Sequence, residues 1–261
     1  MPSVRRIAVE VIEREGADEA LARLHRVAKS SGVEIVEGAD ADIAIVLGGD
    51  GTMLRALARF LGTGVPVIGV NFGRVGFLTT IAADDLEAGV QRVFRGEYRV
   101  QPLATLEARV NGTRKVAVND VVVASGTPGR LIELGYTIGG EELGKQPCDG
   151  LICATPTGST AYNLSNGGPV LVWGLEAMAV TFIAPHALDI RPLVIPRETE
   201  VTITNLTADV ETTLLVDGQP ICTLGAGDGT SVRIGDQHTM LATLPEVTFF
   251  TRYAATFGRL T

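Results

Sequence analysis

A glycine-rich segment with one acidic residue constrains this chain most; it reads Leu47-Gly48-Gly49-Asp50-Gly51-Thr52. The run before it, residues 42–47, is typical of a short strand buried on both faces of a parallel sheet. Residues 53–60 carry apolar side chains at helical spacing, and Thr52 is the expected helix N-cap. The sequence therefore predicts a glycine turn between a buried strand and a helix, with one carboxylate inside the turn.

The position of Asp50 indicates a particular chemistry. Glycines allow a ligand to approach the backbone, and the free N–H groups at a helix N-terminus attract phosphate. A carboxylate there would repel phosphate unless a cation lies between them, or unless the carboxylate takes a proton from an attacking hydroxyl. Both interpretations point to phosphoryl transfer. The alternative is a structural corner in which Asp50 only caps the turn, because a motif match alone is a hypothesis.

Composition limits the classes of partner. The chain has 261 residues and is 46% hydrophobic, which is enough for one large domain or two modest ones. The net charge is −8, from 22 basic and 30 acidic residues. Nucleic-acid binding normally needs a basic face, so no nucleic-acid partner is expected. A small anion can still bind through local backbone dipoles or a metal ion.

The cysteines and histidines give no sign of a metal site. Cys148, Cys153 and Cys222 lack metal-ligand spacing and are interpreted as reduced structural residues. The three histidines are scattered along the chain, so direct ligation of a metal by protein side chains is not assured.

Targeting and membrane signals are also lacking in the sequence pattern. Acidic residues from Glu10 onward interrupt any signal-peptide core. The longest apolar stretch, Val170–Ala184, contains Glu176 and is too short to span a bilayer. We therefore expect a cytoplasmic protein with no membrane partner.

The order of predicted elements divides the chain into an α/β N-terminal domain, residues 1–98, and a mainly β C-terminal domain, residues 99–246. In the first domain, predicted strands alternate with predicted helices; the strands are 7–12, 41–47 and 65–70, and the helices are 18–30, 53–60 and 84–96. The segment of about 247–261 has aromatic residues at near-helical spacing and is expected to pack back on the first domain.

The second domain is predicted from β-branched runs separated by turns. Single strands are expected at 103–110 and 116–124, with a type I′ turn at Asn111-Gly112 and another hairpin turn at Gly139-Gly140. In an open α/β sheet, ligands bind at the carboxyl ends of strands. The glycine turn at residues 48–51 and the loop at residues 71–78 both follow predicted strands, so we expect them to face the same cleft.

A second candidate site lies in residues 149–169, where hydroxyls and small residues dominate. Ser and Thr side chains donate and accept hydrogen bonds at low steric cost, and Tyr162 offers an aromatic face and a hydroxyl, which suits a nucleoside. A Ser/Thr-rich turn region without a ligand is the alternative.

Five motifs in sequence order resemble those of the NAD kinase family. They are the GGDGT box at 48–52, the segment 71–79, the pair Asn119-Asp120, Asp149 with the TPTGSTAY box at 155–162, and the APH and RPL segments at 184–186 and 191–193. The GGDGT box is shared with diacylglycerol kinases, sphingosine kinases and phosphofructokinases. The TPTGSTAY box followed by a GGP turn is far more specific.

The resemblance implies an enzyme that transfers a phosphoryl group from ATP or polyphosphate to the 2′-hydroxyl of the adenosine ribose of NAD, giving NADP. It implies a two-domain fold, α/β followed by β-rich, with NAD bound between the domains. The alternatives are a non-catalytic NAD(P)-binding sensor, or a kinase of the same superfamily that acts on a lipid or sugar hydroxyl.

The resemblance also assigns roles residue by residue. Asp50 would be the catalytic carboxylate. Asn119 and Asp120 would lie at the adenosine ribose, and Asp149 near the nicotinamide end. The other substrate- and nucleotide-binding residues implied are Gly49, Gly51, Thr52, Asn71, Phe72, Gly73, Thr157, Ser159, Thr160, Ala161, Tyr162, Ser165 and Ala184.

The implied cofactor is Mg²⁺ or another divalent metal, carried by the donor phosphates near Asp120. The implied partners are NAD, a phosphoryl donor and further copies of the chain in a homodimer or homotetramer. The sequence leaves open whether ATP or polyphosphate is the donor, because the glycine loop has no Walker-type lysine. It also leaves open whether NADH is accepted, because that depends on the nicotinamide end of the pocket, which Asp149 alone does not define.

Overall fold

The computed structural model describes residues 3–11, 16–72, 76–127, 129–187 and 189–258. The chain forms two compact units; the first is Met1–Pro102 with Thr239–Thr261, and the second is Leu103–His238. The sequence-based boundaries, at residue 99 and near residue 247, stay a prediction.

The first unit is built on a sheet whose strands run in the order β2-β1-β3-β4-β19-β6, with β5 paired to β4. The strands are β1 (Arg6–Val11), β2 (Glu34–Ile35), β3 (Ile43–Leu47), β4 (Val67–Asn71), β5 (Ile81–Ala82), β6 (Arg99–Leu103) and β19 (Thr239–Thr243). The pairs β1–β3, β3–β4 and β4–β19 are parallel. All residues of β3 and β4 are buried, as expected for central strands of a parallel sheet.

Four helices belong to the first unit: α1 (Ala17–Ser31), α2 (Asp50–Arg59), α3 (Leu86–Phe94) and α5 (Phe249–Phe257). The helices α1 and α3 place apolar residues at helical spacing against a core that includes Leu24 of α1, Val90 of α3 and Ile45 of β3. The helix α5 packs through its aromatic side chains. The ring of Phe77 lies 6.1 Å from that of Phe249 and 5.8 Å from that of Phe257.

The second unit contains two six-stranded antiparallel sheets, ordered β11-β10-β15-β18-β7-β8 and β14-β13-β12-β9-β16-β17. Their strands are β7 (Leu106–Val110), β8 (Thr113–Ala117), β9 (Asp120–Ser125), β10 (Ile132–Ile138), β11 (Glu141–Cys148), β12 (Gly150–Ala154), β13 (Ala177–Ile183), β14 (Leu193–Pro196), β15 (Val201–Asn205), β16 (Thr212–Val216), β17 (Gln219–Leu224) and β18 (Gly229–Ile234). Apolar residues from both sheets, such as Leu106, Val123 and Ile203, join in one core. The fold class, an α/β part and a sheet-rich part, is confirmed.

The predicted hairpin turns are also confirmed. Asn111 and Gly112 have φ of 49° and 72°, and Gly139 and Gly140 have φ of 60° and 84°. Positive φ at both central residues is the signature of a type I′ turn. A third turn of this kind, Asp217-Gly218 with φ of 48° and 75°, joins β16 to β17.

Several sequence-based boundaries are wrong. The strand expected at 103–110 is interrupted between β6 and β7, and the strand expected at 116–124 is divided into β8 and β9. The second break has a specific cause, because the side chain of Asp217 binds the backbone at residues 118–120 in place of a neighbouring strand. Further strands of the structure were not predicted from the sequence, among them β2, β5, β11, β13, β17 and β19.

Within the described ranges, no helix is long and apolar enough to cross a membrane. The three cysteines are free thiols. Burial raises the pKa of both Cys148 and Cys153 to about 12, so these thiols are unreactive at neutral pH.

Candidate active site

The glycine turn expected between strand and helix is shorter than predicted. The helix α2 begins at Asp50, and its N-cap is Gly49, which is in extended conformation. The prediction that Thr52 is the N-cap is therefore wrong. Thr52 is a buried residue of the first helical turn. Gly48 is required here, because a Cβ at this position would lie 2.6 Å from Oγ1 of Thr52. Asp50 consequently stands at the N-terminus of a helix, directly after the carboxyl end of β3.

The carboxylate of Asp50 is held by three backbone N–H groups of the loop after β4. Oδ2 accepts from Phe77 N at 2.8 Å, and Oδ1 accepts from Leu78 N at 3.2 Å and from Thr79 N at 3.4 Å. An ionised carboxylate offers about four lone-pair sites. The three bonds therefore orient the group and leave acceptor capacity for a proton or a hydroxyl.

The loop fits closely around this carboxylate. A Cβ on Gly76 would lie 2.2 Å from Oδ1 of Asp50, so only glycine allows this approach. Of the neighbouring candidate residues, Asn71 is buried at the end of β4, and Phe72 is half-buried against the core of the first unit. Gly73 lies outside the described residues.

A buried arginine that the sequence analysis missed lies within electrostatic range of Asp50. Arg252 of α5 is only 9% exposed. Burial lowers the pKa of its guanidinium, and the charge of Asp50 opposes that effect. The sequence signal for Arg252 was weak, because a single arginine in an aromatic helix resembles a surface residue.

In the second unit, Asn119 and Asp120 lie at the start of β9 and are held by Asp217. The Asp217 carboxylate accepts from the backbone N–H groups of Val118 at 2.9 Å, Asn119 at 2.7 Å and Asp120 at 3.2 Å. Asp217 N donates in return to the carbonyl of Asp120 at 3.0 Å. The Asp-Gly dipeptide at 217–218 is a sequence signal for a tight turn. That the Asp217 side chain holds Asn119 and Asp120 depends on a tertiary contact, which the sequence pattern does not indicate.

The electrostatics of this pair are unusual. Burial, with a contribution from the charge of Asp217, raises the pKa of Asp120 to about 7. Burial raises the pKa of Asp217 as well, against its three N–H contacts. The Oδ1 atom of Asn119 is buried without a hydrogen-bond partner among the described residues. Buried polar atoms are normally satisfied, so this oxygen is a candidate ligand contact.

Several polar groups of the TPTGSTAY segment form hydrogen bonds within the protein. Thr155 Oγ1 donates to Val118 O at 2.7 Å, and Ser159 Oγ donates to Pro156 O at 2.7 Å and accepts from Leu171 N at 2.9 Å. The hydroxyl of Ser159 is thus already engaged within the protein. The segment also packs closely against the backbone of Asn119. A Cβ on Gly158 would lie 2.0 Å from the Asn119 carbonyl oxygen.

Other residues of this segment keep groups available for a ligand. Thr157 Oγ1 is buried and has no partner among the described residues. Thr160 and Ala161 are half-buried, and the Thr160 hydroxyl donates to Thr157 O at 3.1 Å but keeps its acceptor capacity. Ser165 is exposed in the short helix α4 (Tyr162–Ser165). Tyr162 is 46% exposed, although it is a large aromatic residue.

The remaining two candidates lie at one end of the antiparallel strand pair β12–β13. Asp149 is exposed, and its N–H donates to the carbonyl of Ile183 at 2.9 Å. Ala184 directly follows Ile183 and is exposed, with an uncommon φ of 44°. The second unit thus brings Asp149 and Ala184 near each other in the chain fold, and separately assembles Asn119, Asp120 and the TPTGSTAY segment.

Comparison with known proteins places both units in one family. Residues 8–98 match the ATP-NAD kinase N-terminal domain, and residues 118–244 match the ATP-NAD kinase C-terminal domain. The NAD kinase of Gemmatimonas aurantiaca is 40% identical over 233 residues, which cover 87% of this chain and 81% of that protein. The NAD kinase of Nitratidesulfovibrio vulgaris is 36% identical over 258 residues, which cover 97% of this chain and 87% of that protein.

Solved structures agree with these matches. An Archaeoglobus fulgidus NAD kinase in complex with ATP superposes with a TM-score of 0.79 at 25% identity, covering 97% of each chain. Yeast NADH kinase complexed with NADH superposes with a TM-score of 0.83 at 24% identity, covering 100% of this chain and 89% of that one, which supports the fold. The family expected from the motifs is confirmed, and the chain belongs to the NAD kinase family.

Proposed function

We propose that this NAD kinase uses Asp50 as the group that accepts the proton of the adenosine ribose 2′-hydroxyl of NAD. The oxygen of that hydroxyl attacks the terminal phosphorus of the donor, the bond to the donor's bridging oxygen breaks, and ADP leaves when the donor is ATP. The observation that carries this proposal is the carboxylate of Asp50, fixed by the N–H groups of residues 77–79 with acceptor capacity left over. A carboxylate fixed in this way needs little reorganisation to receive a proton.

We further propose that the second unit binds NAD. Unpartnered oxygens of Asn119 and Thr157 and the exposed ring of Tyr162 support this assignment, because together they offer acceptors, a donor and a stacking surface. Asp149, Thr160, Ala161, Ser165 and Ala184 are proposed contacts as well. Gly49, Gly51 and Thr52, at the N-terminus of α2, are proposed to lie near phosphates, since such termini favour anions.

ATP is the proposed donor, with polyphosphate as a second donor to be tested. The Archaeoglobus fulgidus NAD kinase, whose structure was solved in complex with ATP, supports ATP. The enzyme relatives disfavour the alternatives of an NAD(P) sensor or a lipid or sugar kinase. Whether NADH is also accepted is tested by replacing NAD with NADH in the NADP-formation assay and measuring NADPH.

A divalent metal is part of this proposal. Mg²⁺ prefers oxygen ligands and usually keeps several waters. The unpartnered Oδ1 of Asn119 and the carboxyl group of Asp120, the next residue in the chain, have the oxygen chemistry that suits such an ion, brought by the donor phosphates. When bound, the ion would neutralise charge on the donor phosphates. A homodimer or homotetramer and a cytoplasmic location complete the proposal; the free thiols fit a reducing compartment.

The test is NADP formation from purified protein, NAD and Mg²⁺, with ATP and polyphosphate as parallel donors. We expect Asp50→Asn to keep the fold and lose turnover by about 10²–10⁴-fold, the usual contribution of a positioned base. Asp18→Asn is the matched control, because Asp18 also lies in the first turn of a helix but is exposed on α1. Turnover of Asp50→Asn within a factor of two of wild type would refute the base assignment. Tight NAD binding with no transfer from any donor would favour the sensor.

A further inference from the structure

The first unit has a cavity that joins two residues already expected to bind nucleotide with several that have no role so far. It has a volume of about 280 Å³ and is lined by Asn71, Phe72, Thr79, Thr80, residues 81–84 and Arg252. One water needs only roughly 10–15 Å³ of such space. The cavity can therefore hold a polar group of several heavy atoms.

Three unsatisfied groups belong to the residues that line this cavity. The Nε atom of Arg252 and the Oγ1 atoms of Thr79 and Thr80 are buried and have no hydrogen-bond partner among the described residues. Arg252 itself is 91% buried, being 9% exposed. Buried groups without partners cost stability, so ordered water or a polar ligand is needed to satisfy three such groups at one cavity.

The charge at the cavity favours an anion. Arginine stays charged in proteins and presents a planar fork of donors that matches phosphate. Both threonine hydroxyls can donate to the same group. Asp84, the acidic residue on the lining, is exposed to solvent, whereas the guanidinium is buried. The Asp50 carboxylate, which lies within electrostatic range of Arg252, offsets part of the arginine charge, so the attraction for an anion comes from the buried guanidinium and hydroxyl donors rather than from net charge.

The cavity adjoins the proposed catalytic carboxylate. Thr79, one of the residues that line the cavity, donates its backbone N–H to Asp50 Oδ1 at 3.4 Å. If Arg252 served only as a counter-charge for Asp50, its Nε and the hydroxyls of Thr79 and Thr80 would still lack partners. An anion in the cavity supplies acceptors for all three.

We propose that Arg252, Thr79 and Thr80 form a subsite for a phosphate group of the phosphoryl donor, beside Asp50. This assignment rests on the proposed function and adds the residues that hold the donor. The subsite binds phosphate through a charge-assisted contact from Arg252 and one hydroxyl contact from each threonine.

The kinetic test compares the Michaelis constants for donor and acceptor. Arg252→Gln is assayed with ATP varied at saturating NAD, and with NAD varied at saturating ATP. We expect the KM for ATP to rise about tenfold or more, as for loss of a hydrogen bond to a charged group, with the KM for NAD unchanged. The matched control is Arg26→Gln, which removes an exposed arginine of α1 and should change neither constant. A KM for ATP equal to that of wild type, or a rise confined to NAD, overturns the proposal.

Thr80→Val tests the same proposal in case Arg252→Gln does not fold. The hydroxyl of Thr80 makes no internal hydrogen bond, so its removal should leave the melting temperature unchanged or raised. We expect a severalfold rise in the KM for ATP all the same. Unchanged ATP kinetics in a folded Thr80→Val variant, with Arg252→Gln unfolded, overturns the proposal.

A binding measurement separates this proposal from the proposed function. Tripolyphosphate is titrated into wild type and Arg252→Gln by calorimetry. Weaker binding to Arg252→Gln supports the subsite even if no donor gives NADP. Equal binding to both proteins, or no binding to wild type, overturns the subsite whatever the outcome of the NADP assay.

Discussion

The Asp217 carboxylate accepts the backbone N–H of Asn119 at 2.7 Å, and this contact interrupts the strand that the sequence predicts at 116–124. The same carboxylate binds the N–H groups of Val118 and Asp120. Asp217 has a φ of 48° in the β16–β17 turn. Its side chain binds the backbone N–H groups that a neighbouring strand would otherwise bind. Asp217 is thus a positioning residue for Asn119 and Asp120.

We expect Asp217→Asn to loosen this pair. The amide NH₂ cannot accept from an N–H, so one backbone donor loses its partner, at a cost of about 1–3 kcal/mol in the free energy of unfolding. Trp173, the single tryptophan, lies in the second unit and reports its unfolding by fluorescence. We also expect the KM for NAD to rise.

Asp228→Asn is the control for this substitution. Asp228 also accepts a backbone N–H, that of Gly225 at 3.0 Å, but it is exposed. Its variant should keep the wild-type KM for NAD. Equal effects of the two substitutions on the KM for NAD would contradict the positioning role of Asp217.

We expect Gly76→Ala to displace the Asp50 carboxylate, because the new Cβ would lie 2.2 Å from Oδ1. A displacement of about 1 Å at a reacting group can cost on the order of 10²-fold in rate. The kcat for NADP formation should therefore fall while the circular dichroism spectrum is kept. Gly225→Ala is the comparison, since its Cβ would meet only an ordinary contact of 3.4 Å. Wild-type kcat in Gly76→Ala would mean that Asp50 has room to shift without loss.

The stability of the second unit should fall as the pH rises from 5 to 8. The pKa of Asp120 is raised to about 7 in the folded protein, against 3.8 as its ordinary value. The folded state therefore binds more protons than the unfolded state between these two pKa values, and the free energy of unfolding decreases with pH. The stabilisation is complete below pH 4 and is lost as the pH rises through 7.

Urea unfolding followed by Trp173 fluorescence, with a chelator and without nucleotide, measures this dependence. The slope is at most about 1.4 kcal/mol per pH unit for one group. Asp120→Asn removes the titrating carboxyl group and should flatten the curve between pH 5 and 7. Parallel curves for the two proteins would contradict the raised pKa.

Two neighbouring hydroxyls of the TPTGSTAY segment should give opposite results. Ser159→Ala breaks contacts with Pro156 and Leu171 and should cost about 1–3 kcal/mol in the free energy of unfolding. Thr157→Val removes a buried hydroxyl that has no partner, so stability should stay or increase, while the KM for NAD rises severalfold. A stability loss in Thr157→Val with an unchanged KM would assign this hydroxyl to the fold.

The local pattern of the chain was sufficient for much of the architecture. The buried strands β3 and β4 and the type I′ turn at Asn111-Gly112 follow from periodicity and from residues that accept positive φ, both of which act over a few neighbouring residues. The order of the motifs indicated the family, which the relatives confirm. The roles of the individual site residues stay predictions.

Tertiary structure decided what depends on residues far apart in sequence. Arg252 and Thr79 line one cavity although 173 positions separate them, and Asp217 divides a strand 97 to 99 positions away. Sequence alone determined the two-part fold, the glycine turn at Asp50 and the family motifs, because backbone preferences and burial patterns depend on residues that are close in sequence. Only the folded chain determined which N–H groups hold Asp50, which carboxylate holds Asn119 and which polar atoms are left without partners, because hydrogen bonding and desolvation depend on what packing brings together.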